Sequence, residues 1–344
     1  MKQEISKLGV LSDRDLDWIN TNGTIKTIAK GEDLISQGQP INELYILLAG
    51  KLTIFVSSSK QENITIQKEV SVNAIGEIMG KISFVDKLPP LATVRALEKT
   101  TALVLNWQQL RNKMQEDEGF SARFYQTLSA LLSHRLRQTS SILAERKTVI
   151  EPPLRKVLFV FGILSDRDID WMIENGMRVN ASPKKVLIQE GKPVEAVYIL
   201  IDGNLAVSIT VGKGDAKVSK EIAKLSSGEI IGEMSFVENG KASATVESFG
   251  ESTLLAIPQA ELATKLKQDM QFTSRFYRAI AVILADRLRD SLIRMGYGQN
   301  PALSNIDEDI DIESQDELDL NTLNNTALAG TRFNWMIRRM SGNY

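Results

Sequence analysis

Residues 228–246 read GEIIGEMSFVENGKASATV, and residues 76–94 read GEIMGKISFVDKLPPLATV. We call residues 76–94 the first cassette and residues 228–246 the second cassette. Each combines a helical turn led by glycine, a short loop and a β-branched run that is typical of a strand. Because the chain holds this stretch twice, we expect it to hold the surrounding domain twice.

The repeat extends far beyond the cassettes. LSDRDLDWI at 11–19 returns as LSDRDIDWM at 164–172, and SARFYQTLSALLSHRLR at 121–137 returns as TSRFYRAIAVILADRLR at 273–289. Two prolines at 152–153 are expected to end the last helix of the first copy, because proline cannot continue a helix. We therefore predict one domain at 1–150 and a second domain at 151–296.

Each copy has the same order of predicted elements. A short helix capped by Ser12 or Ser165 comes first, and short β-branched strands separated by glycine turns follow it. A long helix with one apolar stripe closes each copy, and we call it the closing helix. The prediction is an α+β fold with two jelly-roll-like β-rolls, each flanked by helices, and a disordered acidic tail.

Composition excludes several classes of site. The chain has no cysteine and a single histidine, His134, whose counterpart in the second copy is Asp286. The lack of cysteine excludes disulfides and cysteine–metal sites. The single histidine strongly disfavours histidine metal clusters and Ser-His-Asp triads, so we expect no enzyme and no metal. No long apolar run, signal-peptide core or basic stripe is present, which predicts a cytoplasmic protein that neither spans a membrane nor binds nucleic acid.

On these residues, each copy resembles a cyclic nucleotide-binding domain of the catabolite activator and protein kinase A regulatory-subunit family. In that family the cassette reads roughly Gly-Glu-aliphatic-(Ala/Ser)-Leu, then a loop, then Arg-Ala-(Ala/Ser)-Thr-Val. The resemblance implies that free N–H groups of the helical turn meet the cyclic phosphate and that the glutamate accepts the ribose 2′-hydroxyl. It also implies that an arginine forks onto the phosphate, and that the closing helix forms dimers and shifts when ligand binds.

The second cassette keeps most of this pattern but lacks the arginine. Gly232 and Glu233 match the family, whereas Ala242 stands at the arginine position with Lys241 beside it. A lysine supplies a point charge and not a fork, so we expect weak binding of cAMP, and a cyclic dinucleotide stays an alternative ligand. The predicted ligand-binding residues are Gly232, Glu233, Met234, Ser235, Lys241, Ser243, Ala244 and Thr245.

The first cassette departs further from the pattern. Lys81 replaces the glutamate, Pro90 replaces the arginine and Leu91 stands at the position of Ser243. We predict that this cassette is a relic that completes the roll, and the same reading stays open for the second cassette. The weaker candidate ligand residues are Gly80, Lys81, Ile82, Ser83 and Thr93.

Two further segments follow the second domain. Residues 297–331 hold acidic residues and no Lys or Arg, which predicts a disordered acidic linker. Residues 332–344 predict a short amphipathic helix that docks into a partner protein; packing on the chain's own domains and weak membrane-surface binding are the alternatives. The predicted docking residues are Phe333, Trp335, Met336, Ile337 and Met340.

The sequence therefore predicts a non-enzymatic regulatory protein that senses a cyclic nucleotide or a related second messenger. It is expected to need no cofactor and to signal through a protein partner, with homodimerisation through the closing helices as one option. The first alternative is a structural adaptor whose two rolls bind no ligand. A transcriptional regulator is the second alternative, and it is disfavoured because the sequence shows no helix-turn-helix after the second closing helix.

Overall fold

The computed structural model describes residues 10–55, 70–72, 75–145, 158–212, 217–295, 297 and 320–341. The described residues form two compact units. The first unit contains residues up to Leu128 together with the stretch that begins at Arg289. The second unit contains Ser129–Leu288 and the C-terminal helix. The units are therefore not the two sequence repeats, because each boundary falls inside a closing helix.

The elements of the first copy follow the predicted order. They are α1 (Asp13–Asn22), β1 (Thr24–Ile28), β2 (Asp33–Ile35), β3 (Glu43–Ala49), β4 (Leu52–Phe55), β5 (Val70–Val72), β6 (Ile78–Met79), α2 (Lys81–Asp86), β7 (Thr93–Ala96), β8 (Thr100–Asn106), α3 (Trp107–Glu116) and the closing helix α4 (Glu118–Glu145).

The second copy repeats this order after one additional short helix. Its elements are α5 (Phe159–Ile163), α6 (Asp166–Asn175), β9 (Met177–Ala181), β10 (Val186–Ile188), β11 (Ala196–Asp202), β12 (Asn204–Val211), β13 (Val218–Ser226), β14 (Ile230–Ile231), α7 (Glu233–Glu238), β15 (Thr245–Ser248), β16 (Ser252–Pro258), α8 (Gln259–Gln268), the closing helix α9 (Met270–Arg294) and finally α10 (Leu320–Ser341).

Each copy folds its strands into two four-stranded antiparallel sheets. In the first copy the orders are β1-β8-β3-β6 and β2-β7-β4-β5; in the second they are β9-β16-β11-β14 and β10-β15-β12-β13. Apolar side chains from both sheets of a copy form one buried cluster, which holds Leu47 and Val94 in the first copy and Leu200 and Val246 in the second. The predicted α+β fold with two helix-flanked β-rolls is thus confirmed.

The first helix of each roll is tied to the closing helix of the same copy by one buried carboxylate. Asp15 accepts from the backbone N–H of Ser12 in a capping box and receives two hydrogen bonds from Arg123, at 2.6 and 2.9 Å. Burial alone would raise the pKa of Asp15, but the hydrogen bonds from Arg123 and Ser12 outweigh it and lower the pKa. The second copy repeats this arrangement with Ser165, Asp168 and Arg275.

The two closing helices contact each other within this one chain. In the second unit, Ser129 Oγ of α4 donates to the backbone carbonyl of Tyr277 in α9 at 3.0 Å. Both groups are buried, so the contact belongs to the interior of that unit. The sequence left open whether these helices pair within or between chains, and pairing within the chain occurs. A homodimer stays a prediction.

The C-terminal helix differs from the prediction in its length and in its place. α10 begins at Leu320, so residues 320–331 are helical instead of part of a disordered linker; residues 298–319 lie outside the described residues. The apolar face predicted from Phe333 onward extends back to Ala329, which is fully buried. Burial of Ala329 adds one turn to the apolar face, and burial of one side is what mainly stabilises a helix in water.

The predicted docking face of α10 packs on the chain's own second unit. Phe333 lies with its ring centre 5.0 Å from that of Phe161 in α5, and Met336 is fully buried. Arg332 donates to Asp166 at 2.6 Å and to the carbonyl oxygen of Leu164 at 2.6 Å. Packing on the chain's own domain, one of the two alternatives, is therefore the arrangement observed.

The remaining predicted docking residues lie at the margin of this contact. Trp335, Ile337 and Met340 are each half-buried. Arg339 lies over the Trp335 ring at 5.7 Å and pairs with Asp170 of α6 at 3.2 Å. Guanidinium groups thus border the apolar contact and pair with acidic residues of α6.

We predict that the α10 contact contributes to the stability of the second unit. Met336→Ala should lower the free energy of unfolding by about 2–5 kcal/mol, the cost of truncating a large buried side chain. Asn334→Ala, at an exposed position of the same helix, should change it by less than about 0.5 kcal/mol. Urea unfolding of the full chain measures both, and equal values would show that α10 is undocked in solution.

Candidate ligand-binding site

The helix of each cassette is preceded by a residue whose backbone conformation favours glycine. Gly80 and Gly232 have φ values of 85° and 84°, in the left-handed region, and each is the N-cap of its cassette helix, α2 or α7. A Cβ on Gly232 would lie 2.7 Å from the carbonyl oxygen of Ala196, closer than a side chain tolerates. The glycine therefore lets each cassette helix follow directly on the short strand before it, β6 or β14.

In the second copy, three charged side chains meet at the start of α7. Glu233 is 2% exposed, and its Oε1 lies 2.5 Å from Nη1 of Arg287, a residue of the closing helix α9. The same guanidinium donates through Nη2 to Glu229 Oε2 at 2.6 Å and to the carbonyl oxygen of Ile230 at 2.8 Å. We call Glu229, Glu233 and Arg287 the buried triad. Its two carboxylates share one guanidinium.

Burial and charge act in opposite directions on the triad. Burial raises the pKa of the Glu233 carboxyl, and the neighbouring charge of Arg287 only partly offsets that rise. Burial alone would lower the pKa of Arg287, but Glu233 and Glu229 together raise it. Arg287 therefore stays a cation, and its charge is what makes two buried carboxylates tolerable in this place.

In the first copy, the equivalent carboxylate and backbone carbonyl accept hydrogen bonds from a lysine instead of an arginine. Lys81, at the position of Glu233, donates to Glu77 Oε1 at 2.6 Å and to the carbonyl oxygen of Ile78 at 3.0 Å. These two acceptors match Glu229 and Ile230, which Arg287 contacts in the second copy. The counterpart of Arg287 is Arg135, and it donates instead to Gln138 at 3.4 Å. The cation thus belongs to the cassette in the first copy and to the closing helix in the second copy.

The position of the missing arginine belongs to the core in the second copy. Ala242 is 5% exposed and lies in the apolar cluster with Ile188 and Val246. Lys241, predicted to offer a substitute charge, has an exposed side chain, and its carbonyl oxygen accepts a 3.4 Å hydrogen bond from Arg137. The structure therefore places the Lys241 ammonium group at the surface.

Several other predicted residues have local structural contacts. Thr245 Oγ1 accepts from the backbone N–H of Glu190 at 3.1 Å, and Thr93 Oγ1 accepts in the same way from Gln37 at 3.1 Å. Each threonine thereby ties the strand after the cassette loop to a neighbouring turn. Ser243 Oγ lies 3.8 Å from Met234 Sδ, which links the segment before β15 to α7.

The remaining predicted residues lie in the cassette helices, except for Ala244, which directly precedes β15. Ser83 and Ser235 are buried at matched positions, whereas Ile82 and Ala244 are half-buried. The structure thus brings Gly232, Glu233 and Ser235 together at the start of α7.

Sequence reasoning missed two members of the triad, Glu229 and Arg287. A signal was present in the comparison of the two copies: the glutamate at 77 and 229 is unchanged, while position 81 or 233 reverses its charge. In the first copy a lysine can pair with this glutamate, whereas in the second copy two glutamates need a cation from another element. The comparison therefore predicts a further cation near the second cassette.

The cyclic nucleotide-binding domain model matches residues 25–117 and 178–269, more than half of the chain. This chain belongs to the cyclic nucleotide-binding domain family. The two matches cover the two β-rolls with their cassettes, so the resemblance drawn from the sequence is confirmed. Among the described helices of this family member, none combines the length and apolar character needed to cross a membrane.

Curated relatives match only part of their own length. The cGMP-dependent protein kinase of Eimeria tenella is 24% identical over 237 residues, which cover 69% of this chain and 19% of that kinase. The cGMP-dependent protein kinase of Toxoplasma gondii has the same identity and coverage here, with 20% of its length matched. This chain thus matches about a fifth of the length of these relatives.

A solved structure of cAMP-bound PfPKA-R is similar over 87% of this chain and 90% of its own. The two chains are 15% identical, and the TM-score is 0.31. At these values, the similarity carries no information on the ligand of this chain.

We predict that Arg287 is far more important for stability than its counterpart in the first copy. Arg287→Ala leaves Glu229 and Glu233 buried without their cation and should destabilise the chain by about 3–5 kcal/mol. Arg135→Ala, the matched control, should cost less than about 0.5 kcal/mol. Thermal and urea unfolding of both variants measure the difference.

A second variant tests whether unpaired buried charge causes this loss, by introducing into the second cassette the lysine that the first cassette has. Adding Glu233→Lys to Arg287→Ala places an ammonium group where Lys81 stands and should recover most of the lost stability. If the double variant is no more stable than Arg287→Ala, unpaired charge is not the cause of the loss.

Proposed function

We propose that the chain is a non-enzymatic, cytoplasmic regulatory protein whose second copy binds a ribose-containing ligand of the cyclic-nucleotide type. The observation that supports this best is the contact between Glu233 and Arg287 at the start of α7. It places a hydroxyl acceptor beside a hydrogen-bond-donating cation, the two groups that a ribose phosphate needs. The first copy has Lys81 and Pro90 at the family's glutamate and arginine positions and is not expected to bind such a ligand.

The charge of the triad favours the ribose over the phosphate. Arg287 already faces two carboxylates, and position 242 offers no cation, so an anionic phosphate has to compete with Glu229 and Glu233 for the same guanidinium. A ribose hydroxyl needs only a free lone pair of the Glu233 carboxylate. We therefore expect cAMP to bind weakly, and a neutral nucleoside to bind at least as well as its cyclic monophosphate.

Binding requires a movement that supplies a signal. Because Glu233 is 2% exposed, a ligand reaches its carboxylate only if α7 or Arg287 moves. Arg287 belongs to the closing helix α9, so a change at the triad acts directly on that helix. We propose that this shift alters a surface for a protein partner, by changing the populations of two conformations.

A structural adaptor without ligand is the second candidate, and one observation favours it. The arginine position is filled by Ala242, which packs in the apolar cluster of the roll, and the Thr245 hydroxyl is engaged by the Glu190 backbone. In this alternative the triad serves stability alone.

Calorimetric titration of the full chain with adenosine, guanosine, cAMP and cGMP tests the proposal. Glu233→Gln should weaken binding by about 10- to 100-fold, the factor for losing a hydrogen bond to a charged group. Lys81→Gln, at the matched position of the first cassette, should leave binding unchanged. Ala242→Arg should strengthen binding of cAMP and cGMP but not of the nucleosides.

Two outcomes contradict the proposal. If none of the four compounds binds the folded chain at millimolar concentration, the adaptor function is favoured. If Lys81→Gln weakens binding as much as Glu233→Gln does, the ligand site lies in the first copy.

A further inference from the structure

Each cassette helix ends in an acidic residue that is held by an arginine of the other copy's closing helix. In the first unit, Arg289 of α9 donates to Asp86, the last residue of α2, through Nε at 2.5 Å and Nη2 at 3.1 Å. Its Nη1 donates to the carbonyl oxygen of Pro89 at 3.0 Å. We call this contact the first latch.

The second unit holds the matching contact. Arg137 of α4 lies 2.8 Å through Nη2 and 3.0 Å through Nε from Glu238 Oε2, and Glu238 is the last residue of α7. It also donates to the carbonyl oxygen of Lys241 at 3.4 Å, and Ser133 Oγ donates to Glu238 Oε1 at 2.6 Å. We call this contact the second latch.

The two latches use equivalent positions of the repeat. Arg137 and Arg289 match in the aligned stretches at 121–137 and 273–289, and Asp86 matches Glu238 in the aligned cassettes. Both partners of a latch lie within one compact unit, although they come from different copies of the sequence. The C-terminal part of α4, from Ser129, belongs to the second unit, and the C-terminal part of α9, from Arg289, belongs to the first unit. This exchange of helix ends makes both latches possible.

Electrostatics explains why these arginines are needed. A carboxylate at the C-terminal end of a helix faces the negative end of the helix dipole, which disfavours it. Both cassette helices end in this way, at Asp86 and at Glu238. A guanidinium placed there removes the unfavourable interaction and fixes the end of the cassette helix. Arg137 of the first copy is thus a positioning residue for the second cassette, and Arg289 of the second copy is one for the first cassette.

The two latches differ in burial. The side chains of Arg289 and Asp86 are 10% and 11% exposed, whereas those of Arg137 and Glu238 are 29% and 20% exposed. Breaking a charged contact costs more where water cannot replace the lost partner. The first latch is therefore the harder one to open, and it lies on the cassette that lacks both the glutamate and the arginine of the family.

We propose that the first latch is a fixed anchor and that the second is the one that opens. Movement of α7 withdraws Glu238 from Ser133 and Arg137 and frees the end of α4, while Arg289 keeps α9 attached to the first cassette. The output of the second cassette is then carried by residues 129–145 of the first copy's closing helix. The trigger rests on the proposed function, whereas the two latches do not.

Hydrogen–deuterium exchange of the full chain without ligand tests the latches. Arg289→Gln should speed exchange in α2, and Arg137→Gln should speed exchange in α7, each by about 10- to 100-fold, the factor for losing hydrogen bonds to a charged group. Arg135→Gln, a neighbouring arginine of α4 outside the latch, should change neither helix. Faster exchange restricted to the surroundings of residues 137 and 289 overturns the proposal.

A charge-swapped pair covers the case in which a variant is globally less stable. Arg289→Asp combined with Asp86→Arg should restore slow exchange in α2, because the attraction is rebuilt with its sign pattern reversed. If Arg289→Gln speeds exchange throughout the chain and the swapped pair does not restore α2, the first latch does not exist as described.

The direction of release is tested with guanosine and cGMP as probes at saturating concentration. Faster exchange is expected in residues 137–145 and not in 289–294. If a probe binds in calorimetry but leaves 137–145 unchanged, the opening of the second latch is wrong while the proposed function stands. If neither probe binds, the proposed function fails, and the results on the variants without ligand still decide whether the latches exist.

Discussion

A buried guanidinium between two carboxylates is the contact on which the second cassette depends. Glu233 is only 2% exposed, and both it and Glu229 contact the same guanidinium. Two desolvated negative charges are not tolerated in one place unless a cation joins them. Arg287 is that cation and comes from the closing helix, so the start of α7 and the middle of α9 hold their positions together.

The duplicated chain shows two solutions to the same electrostatic requirement. Glu77 and Glu229 are equivalent acids that need a partner, and the partner is Lys81 in one copy and Arg287 in the other. Moving the cation into the cassette leaves Arg135 outside the contact, because the lysine already satisfies the acid. Lys81 therefore does two things at once: it replaces the glutamate of the family pattern, and it supplies the cation that pairs with Glu77.

The sequence was sufficient for the architecture and insufficient for the contacts between distant elements. Glycine spacing, strand patterning and the repeat predicted both rolls, since these signals are local or repeat with a constant shift. The role of Arg287, the exchange of helix ends and the docking of α10 were not predictable in the same way. Each depends on contacts between elements that are far apart in the sequence. An amphipathic stretch such as 333–340 has the same pattern whether it packs on another protein or on α5 of its own chain.

The exchange of helix ends changes what symmetry permits. In a homodimer of one-domain subunits, every substitution appears in both sites at once, so a residue that fixes one cassette must fix the other. Here the two cassettes share a single chain, and their local concentration does not depend on how much protein is present. A substitution can therefore strengthen the contacts of one latch without changing those of the other. A division of labour between a rigid and a responsive half becomes available to one gene product without any second subunit.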